Sequence, residues 1–211
     1  MTTQTVCRRP CWGTEFDNVR VGLSCGSVVE LRPLRRGEER VLLAVFADLS
    51  PASRTRRYMT GLVRLPATML RALTDVDGLR HVAWVASVRG RPVGIARSVL
   101  EEDGVAEIAV EVVDDYQRLG IASALVDAVT TVAAARGVRR VRATMTPDNE
   151  PSRRLISRIG VRFRLVDGQL EGEGSLRLLD PPRVDRRDVL ALAARAAAGP
   201  PDAGYVPAAI A

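Results

Sequence analysis

Residues 105–126, VAEIAVEVVDDYQRLGIASALV, decide the fold of this chain. Their first half is an almost unbroken apolar run from Val105 to Val113, which predicts a β-strand, and their second half opens a helix from Gly120. A short loop joins the two. The first N–H groups of a helix have no partners within the helix and carry partial positive charge. A strand that leads through such a loop into a helix therefore predicts a binding site for an anion such as phosphate.

The strand carries two glutamates on one face. Side chains alternate along a strand, so Glu107 and Glu111 point away from the side that Ile108 and Val110 occupy. We expect this face to be covered, and apolar surroundings disfavour the charged form of a carboxylate. Glu107 is therefore a candidate general base, although it could instead pair with one of the many arginines. Glu111 lies about 13 Å further along the strand, and we interpret it as an acceptor-side or structural residue, with the role of base as an alternative.

The loop resembles the acetyl-CoA-binding motif of the GNAT acetyltransferases, a strand followed by (Gln/Arg)-(Arg/Gly)-x-Gly-x-(Gly/Ala) and a helix. Here residues 117–122 read Gln-Arg-Leu-Gly-Ile-Ala. Together with LRPLRRGEERVLLAVFADLSPASRTRRYM upstream and TPDNEPSRRLISRIGV downstream, the chain is similar to the bacterial Pat-type protein lysine acetyltransferases. The similarity covers roughly residues 27–180.

This resemblance implies a GNAT fold. We expect one α/β domain with a mixed, mostly antiparallel sheet of about seven strands and with about four helices. The expected boundaries are 1–26 for a mobile N-terminal arm, 27–180 for the acetyltransferase domain and 181–211 for a Pro/Ala-rich tail.

The resemblance also implies the residues of the site. Glu107 would be the general base, acting directly or through water, and Val112 and Val113 would offer backbone groups to the pantetheine arm and the thioester oxyanion. Asn149 would reach the coenzyme, but read alone it equally predicts a helix cap. The pyrophosphate would be held mainly by backbone N–H groups of the loop and the helix start, namely Gln117, Arg118, Leu119, Gly120, Ile121, Ala122 and Ser123.

One position departs from the family pattern. Many GNAT enzymes place a Tyr six or seven residues after the Asn, where it protonates the leaving thiolate. This chain has Leu155 and Ile156 there. We therefore expect a mechanism with a base but no acid from that helix.

Composition excludes several classes of protein. All 31 basic residues are arginines, and the absence of Lys excludes P-loop and pyridoxal enzymes. The net charge of +6 suits an anionic ligand, but with only 4% aromatic residues nucleic acid is the weaker interpretation. Three early cysteines and one His make no metal site of ordinary spacing. Without a signal-like or membrane-length apolar run, we expect a soluble cytoplasmic protein with no membrane partner.

The spacing of apolar residues and the positions of Pro and Gly predict the other helices and strands. Residues 52–73 predict a helical region that Pro66 breaks, with Arg54, Arg56 and Arg57 on a polar face. The remaining predicted elements are a helix over 35–49, strands over 28–31, 81–88, 93–100 and 138–144, a short helix from 150 to 159, a final hairpin of 161–166 with 175–179, and a surface helix over 185–198.

The sequence thus predicts an acetyl-CoA-dependent N-acetyltransferase that acts on lysine side chains of other proteins. A GNAT enzyme acting on a small-molecule amine and a non-catalytic acyl-CoA sensor are the alternatives. Pat-type enzymes often carry a cyclic-nucleotide-binding or synthetase-like domain, and we expect the first 26 residues to be too few for either. The sequence does not predict the oligomeric state.

Overall fold

The computed structural model describes residues 18–198, which form one eight-stranded sheet and six helices. The strands are β1 (Val19–Gly22), β2 (Val28–Pro33), β3 (His81–Val88), β4 (Arg91–Leu100), β5 (Val105–Val112), β6 (Arg140–Met145), β7 (Arg162–Val166) and β8 (Gln169–Ser175). The helices are α1 (Glu39–Asp48), α2 (Pro51–Tyr58), α3 (Ala67–Thr74), α4 (Ile121–Ala135), α5 (Glu150–Arg158) and α6 (Arg186–Ala197). Residues 1–17 and 199–211 of the predicted arm and tail lie outside the described residues.

The sheet divides at β5 and β6. Its order is β1-β2-β3-β4-β5-β6-β8-β7, and all neighbours are antiparallel except β5 and β6. These two parallel strands pair only over 105–107 and 140–142. Beyond Glu107 they separate, because β6 continues along β8 while β5 continues along β4. The separation opens a cleft in the middle of the sheet.

Helices cover both faces of the sheet. Helix α4, with α6 outside it, packs on β3, β4 and β5, where Trp84 and Leu125 are fully buried. Helices α1 and α3 pack on the opposite face through Phe46 and Leu70, among others. A third apolar cluster joins β5, β6 and α5. The expected fold class is confirmed, with eight strands and six helices in place of about seven and four.

Both ends of the described chain pack more closely than the predicted boundaries imply. Val19–Gly22 within the expected arm forms β1, and Val19 is buried against β2. In the expected tail, α6 buries Val189, Leu192 and Ala193, which lie on one face at helical spacing. A four-residue strand is too short to display a periodic pattern, which is why the sequence did not reveal β1.

The last hairpin differs from the prediction. Its second strand is β8, and the turn is Asp167-Gly168, where both residues have positive φ (47° and 79°) as a two-residue hairpin requires. The glycines of β8 are the reason that the sequence pattern did not predict this strand. A Cβ on Gly172 would lie 2.6 Å from the Phe163 side chain, and one on Gly174 would lie 2.0 Å from the Gly160 carbonyl. The neighbouring backbone and side chains approach β8 so closely that these positions require glycine. Glycine, in turn, weakens the sequence pattern of a strand.

A buried ion pair attaches α6 to α4. Asp127 is fully buried, and its carboxylate accepts hydrogen bonds from Arg186 Nη2 (2.9 Å) and the Arg183 N–H (2.5 Å). We expect Arg186→Ala to lower the free energy of unfolding by about 2 kcal/mol or more, because it leaves a buried carboxylate short of a partner. Chemical denaturation measures this loss. The matched variant Arg187→Ala, at an exposed neighbour, should cost less than about 0.5 kcal/mol, and equal losses would contradict the role given to Asp127.

Candidate active site

The cleft between β5 and β6 is the main cavity of the described chain, with a volume of about 990 Å³. Strand β5 forms one wall, β6 and α5 form another, and α2 lies across the side opposite α4. Eight of the eleven predicted site residues line it: Glu107, Val112, Gln117, Arg118, Gly120, Ala122, Ser123 and Asn149. The other three, Val113, Leu119 and Ile121, are not among its lining residues.

The edge of β5 presents backbone groups to the cleft. The Val113 N–H donates to the Val93 carbonyl (2.9 Å), so it is already occupied, and the Val113 side chain is buried in the apolar cluster of α1 and α3. Antiparallel ladders alternate, and the N–H groups of Val110 and Val112 therefore face the cleft. Gln117 Nε2 donates to the Val112 carbonyl (3.0 Å) and ties the loop to the strand. The N–H of Val112 is thus available to a ligand and that of Val113 is not, and the part of their backbone groups in binding the donor stays a prediction.

The loop turns sharply into α4. Arg118 and Gly120 both have positive φ (61° and 95°), and α4 begins at Ile121 with no side chain capping its first N–H groups. The Ile121 side chain is in the core (1% exposed), and Leu119 packs beside the same core, so these two could contribute only backbone groups. The start of a 15-residue helix thus opens towards the cleft with its N–H groups available for an anion.

Glu107 is the carboxylate at the point where the strands part. It is exposed and lines the cleft, so the expected cover over this part of the face is not found. The reason is the pairing of β5 with β6, which ends at Glu107 and leaves open space beyond it. Among residues 18–198 no hydrogen bond or ion pair engages its carboxylate. Glu107 is therefore free to meet a substrate or a water molecule.

Glu111 has the opposite environment. Its side chain is 2% exposed, the Tyr58 hydroxyl donates to its Oε2 (2.9 Å), and Arg57 and Arg97 approach to 3.7 Å and 4.0 Å. Burial, and then the charge of the neighbouring Arg57, lower the pKa of Arg97 to about 10, which leaves it protonated at neutral pH. Burial, followed by the Glu111 charge, raises the pKa of Tyr58 above its usual range. Glu111 is thus committed to holding α2 against the sheet.

Helix α2 buries none of its own residues and is attached by polar contacts. The three arginines of the predicted polar face each have a partner within the chain. Arg54 lies over the Phe46 ring, Arg57 approaches Glu111, and Arg56 binds Asp148 at 2.9 Å across the cleft. The region predicted as one helical stretch is therefore two short helices, of which α2 is a cleft wall and α3 is packed on the core.

Asp114, just after β5, holds the first turn of α2. Its carboxylate accepts from the Ser50 N–H (2.8 Å), the Ser50 hydroxyl (2.8 Å) and the Ser53 hydroxyl (2.7 Å). Partial burial opposes ionisation, but these hydrogen bonds together hold the pKa of Asp114 below its ordinary value. Their stabilising effect is complete above the ordinary carboxyl pKa of about 3.9 and is lost as the pH falls through the lowered value.

We expect Asp114→Ala to loosen α2 without unfolding the domain, because α2 contributes no buried residue. Amides of residues 51–58 should exchange about tenfold faster or more, since at least one net hydrogen bond of about 1 kcal/mol is lost. Hydrogen exchange followed by mass spectrometry resolves this segment. Asp115→Ala, at the exposed neighbour, is the matched control, and equal acceleration in both variants would show that Asp114 does not hold the helix.

Asn149 has the helix-cap role that was one of its two predictions, and its contact with the coenzyme stays a prediction. Its side-chain oxygen accepts from the Ser152 N–H (3.4 Å) as the cap of α5, and the residue also lines the cleft. The sequence reasoning missed Tyr58, Arg97, Asp114 and Asp148. Their contacts join residues 14 to 92 positions apart, and the only available signal was the placement of Glu111 on the same face as Glu107.

Two further searches bear on the kind of site. Within residues 18–198, no cluster of three or more His, Cys, Asp or Glu side chains could hold a metal ion. The helices of the same range are also too short or too polar for any of them to span a bilayer.

Comparison with known proteins agrees with this geometry. Residues 43–161 match the model of the acetyltransferase (GNAT) family. An acetyltransferase of Pseudomonas aeruginosa is 32% identical over 151 residues, which cover 69% of this chain and 81% of that protein. The acetyltransferase Pat of Mycolicibacterium smegmatis is 33% identical over 147 residues, which cover 67% of this chain but only 44% of that protein.

A solved structure shows the same architecture. The GNAT domain of S. lividans PAT superposes with a TM-score of 0.70 at 25% identity and covers 78% of this chain and 99% of its own. The cAMP-binding acyltransferase of Mycobacterium smegmatis superposes at 0.59 with 26% identity, and this chain spans 55% of its length. The chain therefore belongs to the GNAT acetyltransferase family and is an acyltransferase that uses acetyl-CoA as its acyl donor.

Proposed function

We propose that this enzyme acetylates lysine side chains of other proteins, with Glu107 as the general base. The observation that carries the proposal is the carboxylate of Glu107, which has no hydrogen-bond or ion-pair partner among residues 18–198 and lies at the inner end of the cleft, on the β5 face that α2 borders. The similarity of three segments to the Pat-type protein lysine acetyltransferases supports a protein acceptor.

The chemistry needs one base. A lysine amine has an ordinary pKa near 10.4 and attacks a carbonyl only when neutral. Glu107, directly or through one water molecule, takes the proton as the amine nitrogen bonds to the thioester carbon. The C–S bond then breaks, and coenzyme A leaves as a thiolate. The proton held by Glu107 passes to solvent, and a proton from solvent neutralises the thiolate.

Helix α5 supplies no side chain that could protonate that thiolate. Leu155 and Ile156 line the cleft where many relatives have a Tyr. Tyr58 also lines it, but its hydroxyl is bound to Glu111 and its raised pKa makes it a weaker acid than a free tyrosine. This supports the mechanism with a single acid-base residue.

The donor would lie along the β5 edge. Its pyrophosphate would accept N–H groups from the loop and the first turn of α4, and its pantetheine arm would pair with the free backbone groups of Val110 and Val112. The N–H of Val112 is then placed to stabilise the oxyanion that forms on the thioester oxygen. Asn149, on the opposite wall, would contact the same arm.

The absence of Lys in this chain makes a clean test possible. Incubated alone with labelled acetyl-CoA, the enzyme should gain no label beyond its N-terminal amine. Total cytosolic protein added to the same mixture should gain label on lysine, which peptide mass spectrometry locates. Label found only on polyamines or aminoglycosides in a mixed panel would contradict the proposal and favour a small-amine acceptor, and no label despite coenzyme binding would favour an acyl-CoA sensor.

A further inference from the structure

Met59 has an unusual backbone and an unusual position. It ends α2 in the left-handed backbone conformation (φ 57°, ψ 14°), which residues other than glycine rarely adopt. Its side chain is half-buried, lines the cleft, and packs against the apolar cluster of β5, β6 and α5 rather than against the α1–α3 side from which it comes. Met59 therefore extends from α2 towards the apolar cluster that flanks the gap between the parted strands.

The place it reaches is the reacting end of the cleft. Val110 and Leu155 line the cleft and pack on the same cluster as Met59. Val110 lies between Glu107 and Val112 on β5. Glu107 and Val112 lie on either side of the position that the proposed function gives to the thioester, so the inference rests on that placement of the donor. Met59, Val110 and Leu155 then offer an apolar wall to the acyl group.

Contacts of two preceding residues hold the end of α2 from which Met59 extends. The Tyr58 hydroxyl, one residue earlier, donates to buried Glu111, and Arg56 is paired with Asp148 on the opposite wall. These two contacts fix the backbone of α2 just before Met59. Left-handed conformations outside glycine persist where surrounding contacts enforce them, and they concentrate at ligand-binding segments.

We propose that Met59 limits the length of the acyl chain that this enzyme accepts from coenzyme A. Acetyl fits beside the thioether, and each added methylene has to displace it. A tightly enclosed apolar pocket discriminates by about tenfold or more for one methylene. Removing the Met59 side chain should open space for a longer acyl group of three or four carbons.

Direct binding tests this without any acceptor. Calorimetry should give a lower affinity of the enzyme for butyryl-CoA than for acetyl-CoA, and Met59→Gly should shift the ratio about tenfold or more towards butyryl-CoA. Glycine suits the left-handed backbone, so this variant should keep its fold. Met59→Ala should shift the ratio in the same direction and serves if the glycine variant has a lowered Tm.

The matched control is Met69→Ala, because Met69 lines the same cleft from α3 and packs on the other apolar cluster. Its affinity ratio should stay at the wild-type value. An unchanged ratio in both folded Met59 variants, or an equal shift in Met69→Ala, would overturn the proposal. The Met59 variants could shift the affinity ratio as expected while, in the labelling experiment, label appears only on small amines. That result would contradict the protein acceptor and support the role of Met59.

Discussion

Glu107→Gln should lower kcat by roughly 10²- to 10⁴-fold, the usual contribution of a positioned base. The amide keeps the size and polarity of the carboxylate but cannot take the amine proton at neutral pH. Since Glu107 makes no contact that holds the described fold, the Tm and the Kd for acetyl-CoA should stay near their wild-type values. Steady-state kinetics with saturating acceptor, together with calorimetry, separate these quantities.

Two other glutamates serve as controls. Glu102→Gln, in the exposed turn before β5, should leave kcat unchanged. Glu111→Gln removes charge from a buried contact with Tyr58 and Arg57, so it should lower the Tm and raise the KM for the acceptor more than it lowers kcat. A larger loss of kcat in Glu111→Gln than in Glu107→Gln would show that the base is assigned to the wrong residue.

Gly120→Val should weaken acetyl-CoA binding by roughly 100-fold or more, the equivalent of losing two hydrogen bonds to a charged group. The φ of 95° is strongly unfavourable for a β-branched residue, so the loop has to move and its N–H groups lose their alignment. A Cβ at Gly120 would meet no atom within 4 Å, so the core is not forced apart. The domain should therefore stay folded, as circular dichroism can verify.

Gly137→Val provides the matched control at the other end of α4. Gly137 has a similar φ of 89°, and its added Cβ would also meet no atom within 4 Å. The two variants should lose similar amounts of stability, but only Gly120→Val should lose the coenzyme. Comparable weakening of binding in both would attribute the effect to strain in α4 rather than to the loop.

Local patterns predicted much of the fold. The β3–β4 hairpin follows from apolar runs around Arg89-Gly90, two residues whose positive φ values match the turn. The strand, loop and helix around Gly120 were recognisable because one contiguous segment contains them. Strand β8 was predicted at the wrong position because its glycines are required by the close approach of Gly160 and Phe163. The sequence of β8 alone does not reveal those contacts.

The candidate site divides in the same way. The loop and helix start after β5 come from neighbouring residues and could be predicted, but the pairing that occupies the Val113 N–H comes from β4 and could not. The α2 wall of the cleft depends on pairs such as Arg56 with Asp148, which lie 92 positions apart. Arginines on a helix ordinarily indicate a solvated face, and only the fold reveals that these three have partners.

The short pairing between β5 and β6 has a mechanical consequence. Three residue pairs join a half-sheet of five strands to one of three, and Glu107 belongs to the last of those pairs. If the half-sheets rotate slightly about this junction, displacement grows with distance from it, so the gap beside Val112 changes width more than the gap beside Glu107. The proposed base thus lies at the pivot. Opening and closing of the cleft by such a rotation would admit and release coenzyme A at the outer end, while the carboxylate would keep its position.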